Sequence, residues 1–493
     1  MRVDARAVGG LAGTVLALLA APLAATAGVA LWFGESMVPF LLPAAGCLLV
    51  GGPLTRLGHR QLGLREAYLV VATVWLLVGV VGAVPFLLAG EGALASPINA
   101  LFESMSGITT TGATVILDFG AYSRSVLLWR GVLQWLGGLG ILILAVALLS
   151  ELRVAGAQLM ERESQTQDLT KLTPKIRETA RLLGTLYLAL TALQVLVLLG
   201  LRTVGLAPEV DLYAAVAHAL TTVSTAGFSP RPESLGAFSP TVQWVVTLFM
   251  LLGATNFVLM YHVAQGDLAR LRNSEEFRFY LSVVGGATTL VVGFLVVDGT
   301  YPALDALRHG LFQVVSIVTT TGYATVNFDS WSVGAKHVLF LCMFMGGMAG
   351  STTCSIKTVR WLVVLKATRR DLFTEIHPDA VSPVRVSGVV VDEGTVRDIY
   401  GYVLLTLVLF ALTTVAIVVD AAREGPDIGE FDAMGAAAAT FLNVGPAFGI
   451  AGPFGSYEPF APLTKVLLTV LMWVGRIETI PVLVVLTRSF WRS

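Results

Sequence analysis

The sequence predicts an all-α polytopic membrane protein, with an N-terminal two-helix hairpin followed by four pseudo-repeats around one central axis. Three observations carry that expectation. Of 493 residues, 55% are hydrophobic and only 13% charged, about half the charge of a soluble globular chain; mean hydropathy is +0.77. Apolar runs of about 20 residues, enough to cross a hydrocarbon core of roughly 30 Å, recur along the chain. Between them, a short segment ending in a Thr/Gly-rich turn recurs four times. This composition excludes a disordered chain, a fibre and an ordinary cytosolic enzyme. A net charge of −1 offers no footprint for nucleic acid. Cys47, Cys342 and Cys354, odd in number and in or beside apolar stretches, form no secreted disulfide framework.

Ten spans are expected, at about 8–33, 38–55, 66–89, 126–150, 179–201, 239–263, 279–298, 335–364, 398–420 and 463–487. The runs are continuously apolar, without the alternation of barrel strands. Basic residues collect in every second connection: Arg56, Arg60 and Arg65; Arg153, Arg162, Lys171, Lys175, Arg177 and Arg181; Arg270, Arg272 and Arg278; then Lys357 to Arg397. With Arg2 and Arg6 at one end and Arg488 and Arg492 at the other, both termini are expected to be cytoplasmic. The first run also resembles a signal peptide, but about 26 apolar residues are long for a signal core, which favours a retained helix.

From residue 66 each pair of long helices encloses a short helix and a turn. The short helices are 99–108, 214–223, 306–318 and 433–442. The turns read Thr109-Thr110-Thr111-Gly112-Ala113-Thr114, Ser224-Thr225-Ala226-Gly227-Phe228-Ser229, Thr319-Thr320-Thr321-Gly322-Tyr323-Ala324-Thr325 and Asn443-Val444-Gly445-Pro446. Repeats with a fixed order of parts imply one unit used four times. The expected divisions are a hairpin at 1–65 and repeats at 66–150, 151–263, 264–366 and 367–493. Irregular backbone at membrane depth is tolerated only inside protein or along a water-filled cavity. Four such turns on one axis, placed on the extracellular side by the span parity, imply a pore. A single Thr-Thr-Gly fits helix packing equally well; four at equivalent places do not. Rings of carbonyl oxygen replace the water shell of a cation. With no Asp or Glu in any turn, a monovalent ion is favoured over calcium or magnesium.

The segment from Phe102 to Thr114, Trp129-Arg130, the run Gln134 to Gly140, and the three later turns resemble the Trk/Ktr/HKT superfamily of potassium transporters. The likeness runs from about residue 40 to the C-terminus, and the extra hairpin resembles the TrkH branch of bacteria. The resemblance implies a potassium filter built from Thr110, Thr111, Gly112, Thr225, Ala226, Gly227, Thr320, Thr321, Gly322, Asn443, Val444 and Gly445. Plant sodium-selective relatives carry serine at the first glycine, so Gly112 favours potassium. The resemblance also implies a bacterial inner-membrane location, a homodimer, and a separate cytosolic RCK-type nucleotide-binding regulator of the TrkA/KtrA kind. This chain has no Gly-x-Gly-x-x-Gly of its own opening a βαβ unit.

Within the span 335–364, Gly346, Gly347, Gly350, Ser351, Thr352, Thr353, Cys354 and Ser355 disfavour a continuous helix. The resemblance makes this segment an intramembrane gate below the filter; relatives carry more glycine where this chain has Thr353, Cys354 and Ser355. Lys357 follows, as a gate residue or as the cytoplasmic end of its helix. Arg476 lies midway through the last span, where a guanidinium costs at least about 2.5 kcal/mol. The resemblance places it in the ion pathway; the alternatives are a pair with Glu478 or another carboxylate, and snorkelling to the cytosol. Glu103 is expected to bond filter backbone and His218 to be structural. The acidic stretch Asp420, Glu424, Asp427, Glu430 and Asp432 either concentrates cations or is merely solvated.

The expected function is channel-like potassium uptake across the plasma membrane, with K+ as cargo and no organic cofactor. A sodium-permeable or weakly selective cation transporter is the alternative, and co-transport of protons or sodium stays open. An intramembrane enzyme is the distant alternative: the six histidines contain no HExxH, and no turn holds Gly-x-Ser-x-Gly.

Overall fold

A computed structural model describes residues 4–57, 64–149, 176–424 and 428–491. The expectations on Arg2, Arg60, Arg492, Asp427 and residues 151–175 of the basic linker 151–181 lie outside the described residues.

The hairpin is α1 (Ala5–Trp32) and α2 (Val38–Thr55). They cross closely where small residues meet: a Cβ on Gly51 would lie 2.7 Å from Gly13 O. Such small-residue contacts are how membrane helices approach in the absence of water.

The first repeat is α3 (Leu64–Ala89), the short α4 (Pro97–Ile108) and α5 (Arg124–Leu149). The second is α6 (Ile176–Thr203), α7 (Leu212–Val223), α8 (Pro240–Gly253) and α9 (Phe257–Ala264), followed by a short α10 (Leu268–Asn273). The third is α11 (Glu275–Val297), α12 (Ala303–Val318), α13 (Val333–Cys342) and α14 (Thr358–Ile376). A two-stranded hairpin, β1 (Arg385–Val386) and β2 (Val389–Val390), leads to the fourth: α15 (Glu393–Glu424), α16 (Glu430–Phe441), α17 (Pro462–Arg476) and α18 (Thr479–Leu486), with a final α19 (Arg488–Trp491). Proline opens α4, α8 and α17, a position where its missing N–H has no intrahelical partner to lose.

Among the described residues, seven of the ten expected spans are single helices long and apolar enough to cross a membrane. The other three, all inner helices, are broken. We expected a break only in the third. The second inner helix also bends, by 108° between α8 and α9, and the fourth breaks at Ile477-Glu478, where Glu478 has φ +65°.

The reason for the second break is visible in its hydrogen bonds. The stretch 343–357, between α13 and α14, inserts against it. Met348 N–H donates to Ala254 O (3.0 Å), Phe257 N–H to Gly350 O (3.1 Å) and Asn256 Nδ2 to Ala349 O (2.8 Å). Backbone groups freed by each irregular segment are thus satisfied by the other, as a low-dielectric surrounding requires.

Candidate ion-coordinating site

The four short helices end at Ile108, Val223, Val318 and Phe441, each four residues before Gly112, Gly227, Gly322 and Gly445. Each end is closed in the same way. Thr110, Thr225, Thr320 and Asn443 N–H groups donate to Gly107, Thr222, Ile317 and Thr440 O. The next residues, Thr111, Ala226, Thr321 and Val444, donate to Ser106, Thr221, Ser316 and Ala439 O. This is the Schellman closure, which needs a left-handed residue just past the helix. Here Thr110 (φ 55°), Thr225 (51°), Thr320 (53°) and Asn443 (55°) supply it. The glycines two residues on are left-handed again, at φ 80°, 77°, 82° and 102°.

The turns meet in a closed ring. A Cβ on Gly112 would lie 2.4 Å from Ala226 O, on Gly227 1.8 Å from Thr321 O, on Gly322 2.2 Å from Val444 O, and on Gly445 2.5 Å from Thr111 O. Each glycine therefore abuts the carbonyl preceding the glycine of the next repeat, and the fourth abuts the first. No side chain fits in any of these four contacts. A cavity of about 230 Å³, lined by all four glycines together with residues that follow them, opens on one side of the ring.

Side chains brace the ring from behind. Glu103 is fully buried: Oε2 accepts Val115 N–H (2.9 Å), and Oε1 accepts Thr114 Oγ1 (2.9 Å) and Arg130 Nε (2.6 Å). His218 bonds Ala214 O (2.8 Å) and Ser229 Oγ (3.0 Å), and Gln313 Oε1 accepts Thr325 N–H (3.0 Å). Glu103, His218 and Gln313 all stand nine positions before their glycine; Ala436 holds that place in the fourth repeat. Tyr457 compensates there, donating from its hydroxyl to Gly445 O (2.9 Å) and from its N–H to Thr114 O (2.8 Å). Gln134 clips the second turn, donating to Ala226 O (2.6 Å) and accepting Phe228 N–H (3.0 Å). Reading the four repeats in register would have found the position-nine residues; Tyr457 has no such signal. Asp432 is half-buried beside Gly449. Burial, with help from the charge of Asp329, holds its carboxyl above the usual range.

The loop 343–357 seats on the other side of the ring. Thr352 Oγ1 shares a hydrogen bond with Thr225 Oγ1 (3.0 Å) and donates to Gly253 O (3.1 Å), and Cys354 N–H donates to Thr320 Oγ1 (3.0 Å). Ser351 bonds Thr353 (2.8 Å), Ser355 donates to Met343 O (2.7 Å), and Lys357, half-buried, bonds Thr353. Gly350 and Ser355 take the left-handed conformation at φ 74° and 61°. Gly346 and Gly347 lie where a Cβ would meet Cys354 O (2.3 Å) and Ala254 O (2.8 Å).

Arg476 reaches this loop. It is 2% exposed, and donates from Nη1 to Thr352 O (3.0 Å) and Cys354 Sγ (2.7 Å) and from Nη2 to Gly137 O (3.0 Å). It neither snorkels nor pairs with Glu478. Glu478 instead takes Arg360 Nη2 on both oxygens (2.8 and 2.7 Å), and Arg360 stacks on Tyr402 at 4.0 Å. Arg360 is a buried cation that the sequence reading counted only as part of a cytoplasmic charge cluster.

The TrkH family model, described as a cation transport protein, matches residues 45–492. The chain belongs to the TrkH family. It is 34% identical to the Trk system potassium uptake protein TrkH of Halomonas elongata over 94% of this chain and 95% of that one. It is 32% identical to the Escherichia coli K12 protein of the same name, covering 88% and 87%. The crystal structure of the potassium transporter TrkH from Vibrio parahaemolyticus superposes with a TM-score of 0.88 at 30% identity, covering 99% of this chain and all of that one. Membership in the TrkH family and the apolar helices together make this a multi-pass membrane protein.

Proposed function

We propose that this chain takes up potassium across the bacterial inner membrane by a channel-like route. The observation that carries the reading is the closed ring of four glycine turns, each abutting a carbonyl of the next. Residues Thr110–Gly112, Thr225–Gly227, Thr320–Gly322 and Asn443–Gly445 form the filter, whose backbone oxygens replace the water around K+. The C-terminal ends of the four short helices converge below it, and their partial negative charge favours a cation there. The loop Gly346–Lys357 and Arg476 form the gate, and the repeats divide near residues 65, 150, 263 and 366. Potassium enters from the side of the cavity, which is extracellular if both termini are cytoplasmic. A membrane potential supplies about 2.3 kcal/mol per charge per 100 mV, enough to drive accumulation.

The potassium uptake for which the Halomonas and Escherichia relatives are named supports the choice of ion. Glycine at position 112 supports potassium over sodium. The chain acts as a transporter, not an enzyme, and works as a homodimer with a separate RCK-type regulator of the TrkA/KtrA kind. Rubidium uptake into liposomes, with sodium as competitor, tests the reading. The parent should admit rubidium and exclude sodium; Gly112→Ser should lose at least about tenfold of that preference, since its Cβ displaces a filter carbonyl. Equal sodium and rubidium flux in the parent removes the potassium assignment.

A further inference from the structure

Two consecutive carboxylates open α11, and each grips a different body. Glu276 is 1% exposed; its Oε1 accepts Ala349 N–H at 2.7 Å and Thr358 Oγ1 at 3.0 Å. It therefore holds the glycine-rich arm of the loop 343–357 and the first residue of α14 together on one oxygen. Thr358 also donates to Gly347 O by its N–H (3.1 Å), so the arm cannot leave its seat without disturbing this carboxylate. Backbone N–H bonds to a carboxylate are about twice as strong as neutral ones.

Glu275 turns the other way. Its Oε2 accepts Lys366 Nζ (2.5 Å) from α14 and Ser387 N–H (2.8 Å), while its own N–H donates to Ser387 Oγ (3.3 Å). Ser387 is the tip of the β1–β2 hairpin, left-handed at φ 47° with Gly388 at 82°. Lys366 also donates to Arg385 O (2.7 Å). The hairpin packs Val384, Val386 and Val391 on Val359, Leu362, Val363 and Ala367 of α14, in a core of its own that also includes Ala349 of the loop. A displacement of the hairpin acts on Glu275, on α14 and, one residue along, on Glu276.

We propose that Glu276 is the positioning residue that holds the loop 343–357 in its closed seat, and that Glu275 makes this hold depend on where the hairpin 385–390 sits. The inference rests on reading that loop as the gate. It assigns the hairpin the part of a lever: a load applied at Ser387 is delivered to Ala349 through two adjacent side chains of one rigid helix.

The test uses the full chain and a reporter already in the loop. A maleimide labels Cys354, and peptide mass spectrometry separates it from Cys47 and Cys342; rubidium flux is measured on the same preparations in liposomes. Glu276→Ala should raise the Cys354 labelling rate by about tenfold, the loss of a charge-assisted bond, and raise flux in parallel, with Glu276→Gln intermediate. Thr358→Val removes one donor while keeping side-chain volume, and should raise labelling by a smaller factor; it decides the matter if Glu276→Ala does not fold. Lys366→Met, which leaves Glu276 untouched, should also raise labelling. Unchanged labelling in Glu276→Ala and Thr358→Val, in a parent that conducts, overturns the inference and leaves the channel reading standing. Unchanged labelling in Lys366→Met alone removes the lever. A parent with no flux, in which labelling still depends on Glu276, overturns the channel reading and keeps the positioning role.

Discussion

Thr110, Thr225 and Thr320 hold a backbone conformation that branched side chains avoid, at a cost of roughly 1–2 kcal/mol each. Two of them recover something for it, because their hydroxyls carry the loop at Thr352 and Cys354. The Thr110 hydroxyl is buried with no hydrogen-bond partner among the described residues. Thr110→Asn, the residue already present at the equivalent Asn443, should therefore stabilise the protein by about 1 kcal/mol, read as a higher melting temperature in detergent. The glycines were legible in the sequence; the threonine conformations were not, because only the shared helix closure reveals them. Arg476 presents the opposite case, a visible residue with an unforeseen partner. Its charge faces carbonyls and a thiol, with no carboxylate among its hydrogen-bond partners in the described residues. Arg476→Ala should raise rubidium flux by about tenfold, the effect of ~1.4 kcal/mol of repulsion removed from the pathway. Unchanged flux would make the arginine a brace for the loop.

The inner helices show how far local sequence reaches. The interruption at 346–356 was legible because helix breakers crowd there. The bend at Gly253-Ala254-Thr255-Asn256 was not, since those residues suit a tightly packed membrane helix equally well. What bends it is the arrival of Met348 to Gly350, some ninety residues on, with the donors and acceptors that the bend leaves free. The alternative of an Arg476–Glu478 pair fails for a simpler reason: α17 ends at Arg476, and Glu478, left-handed at φ +65°, lies beyond that end. The break at Ile477 instead turns Glu478 toward Arg360, tying the end of α17 to the start of α14. Glu478→Gln should cost about 1.5–3 kcal/mol, the range for a bond to a charged group, in a thermal melt. It should also raise flux if α14 moves when the loop opens.

Across the whole molecule, the fourfold pattern was legible because it repeats, and the N-terminal hairpin was legible only as two apolar runs. Its role appears in contacts. Glu35, just after α1, accepts Arg124 N–H (2.8 Å) and Ser125 N–H (2.9 Å), capping α5 from another part of the chain. Phe40 of α2 lies against Trp129 of α5 at 6.3 Å. The hairpin therefore fixes the start of the first repeat's inner helix, which no sequence motif announced. Glu35→Ala should lower stability by about 1 kcal/mol, as a lost N-cap does, measured by melting in detergent. The circular contact of the four turns has a wider consequence. An assembly of four identical subunits must alter every quadrant whenever one codon changes. Here Pro446 follows one glycine, Tyr323 another, and Ala113 and Phe228 the remaining two. Ancestral drift can therefore retouch a single sector of the ring while three stay as they were, so on the proposed filter role discrimination between ions can evolve in quarter steps.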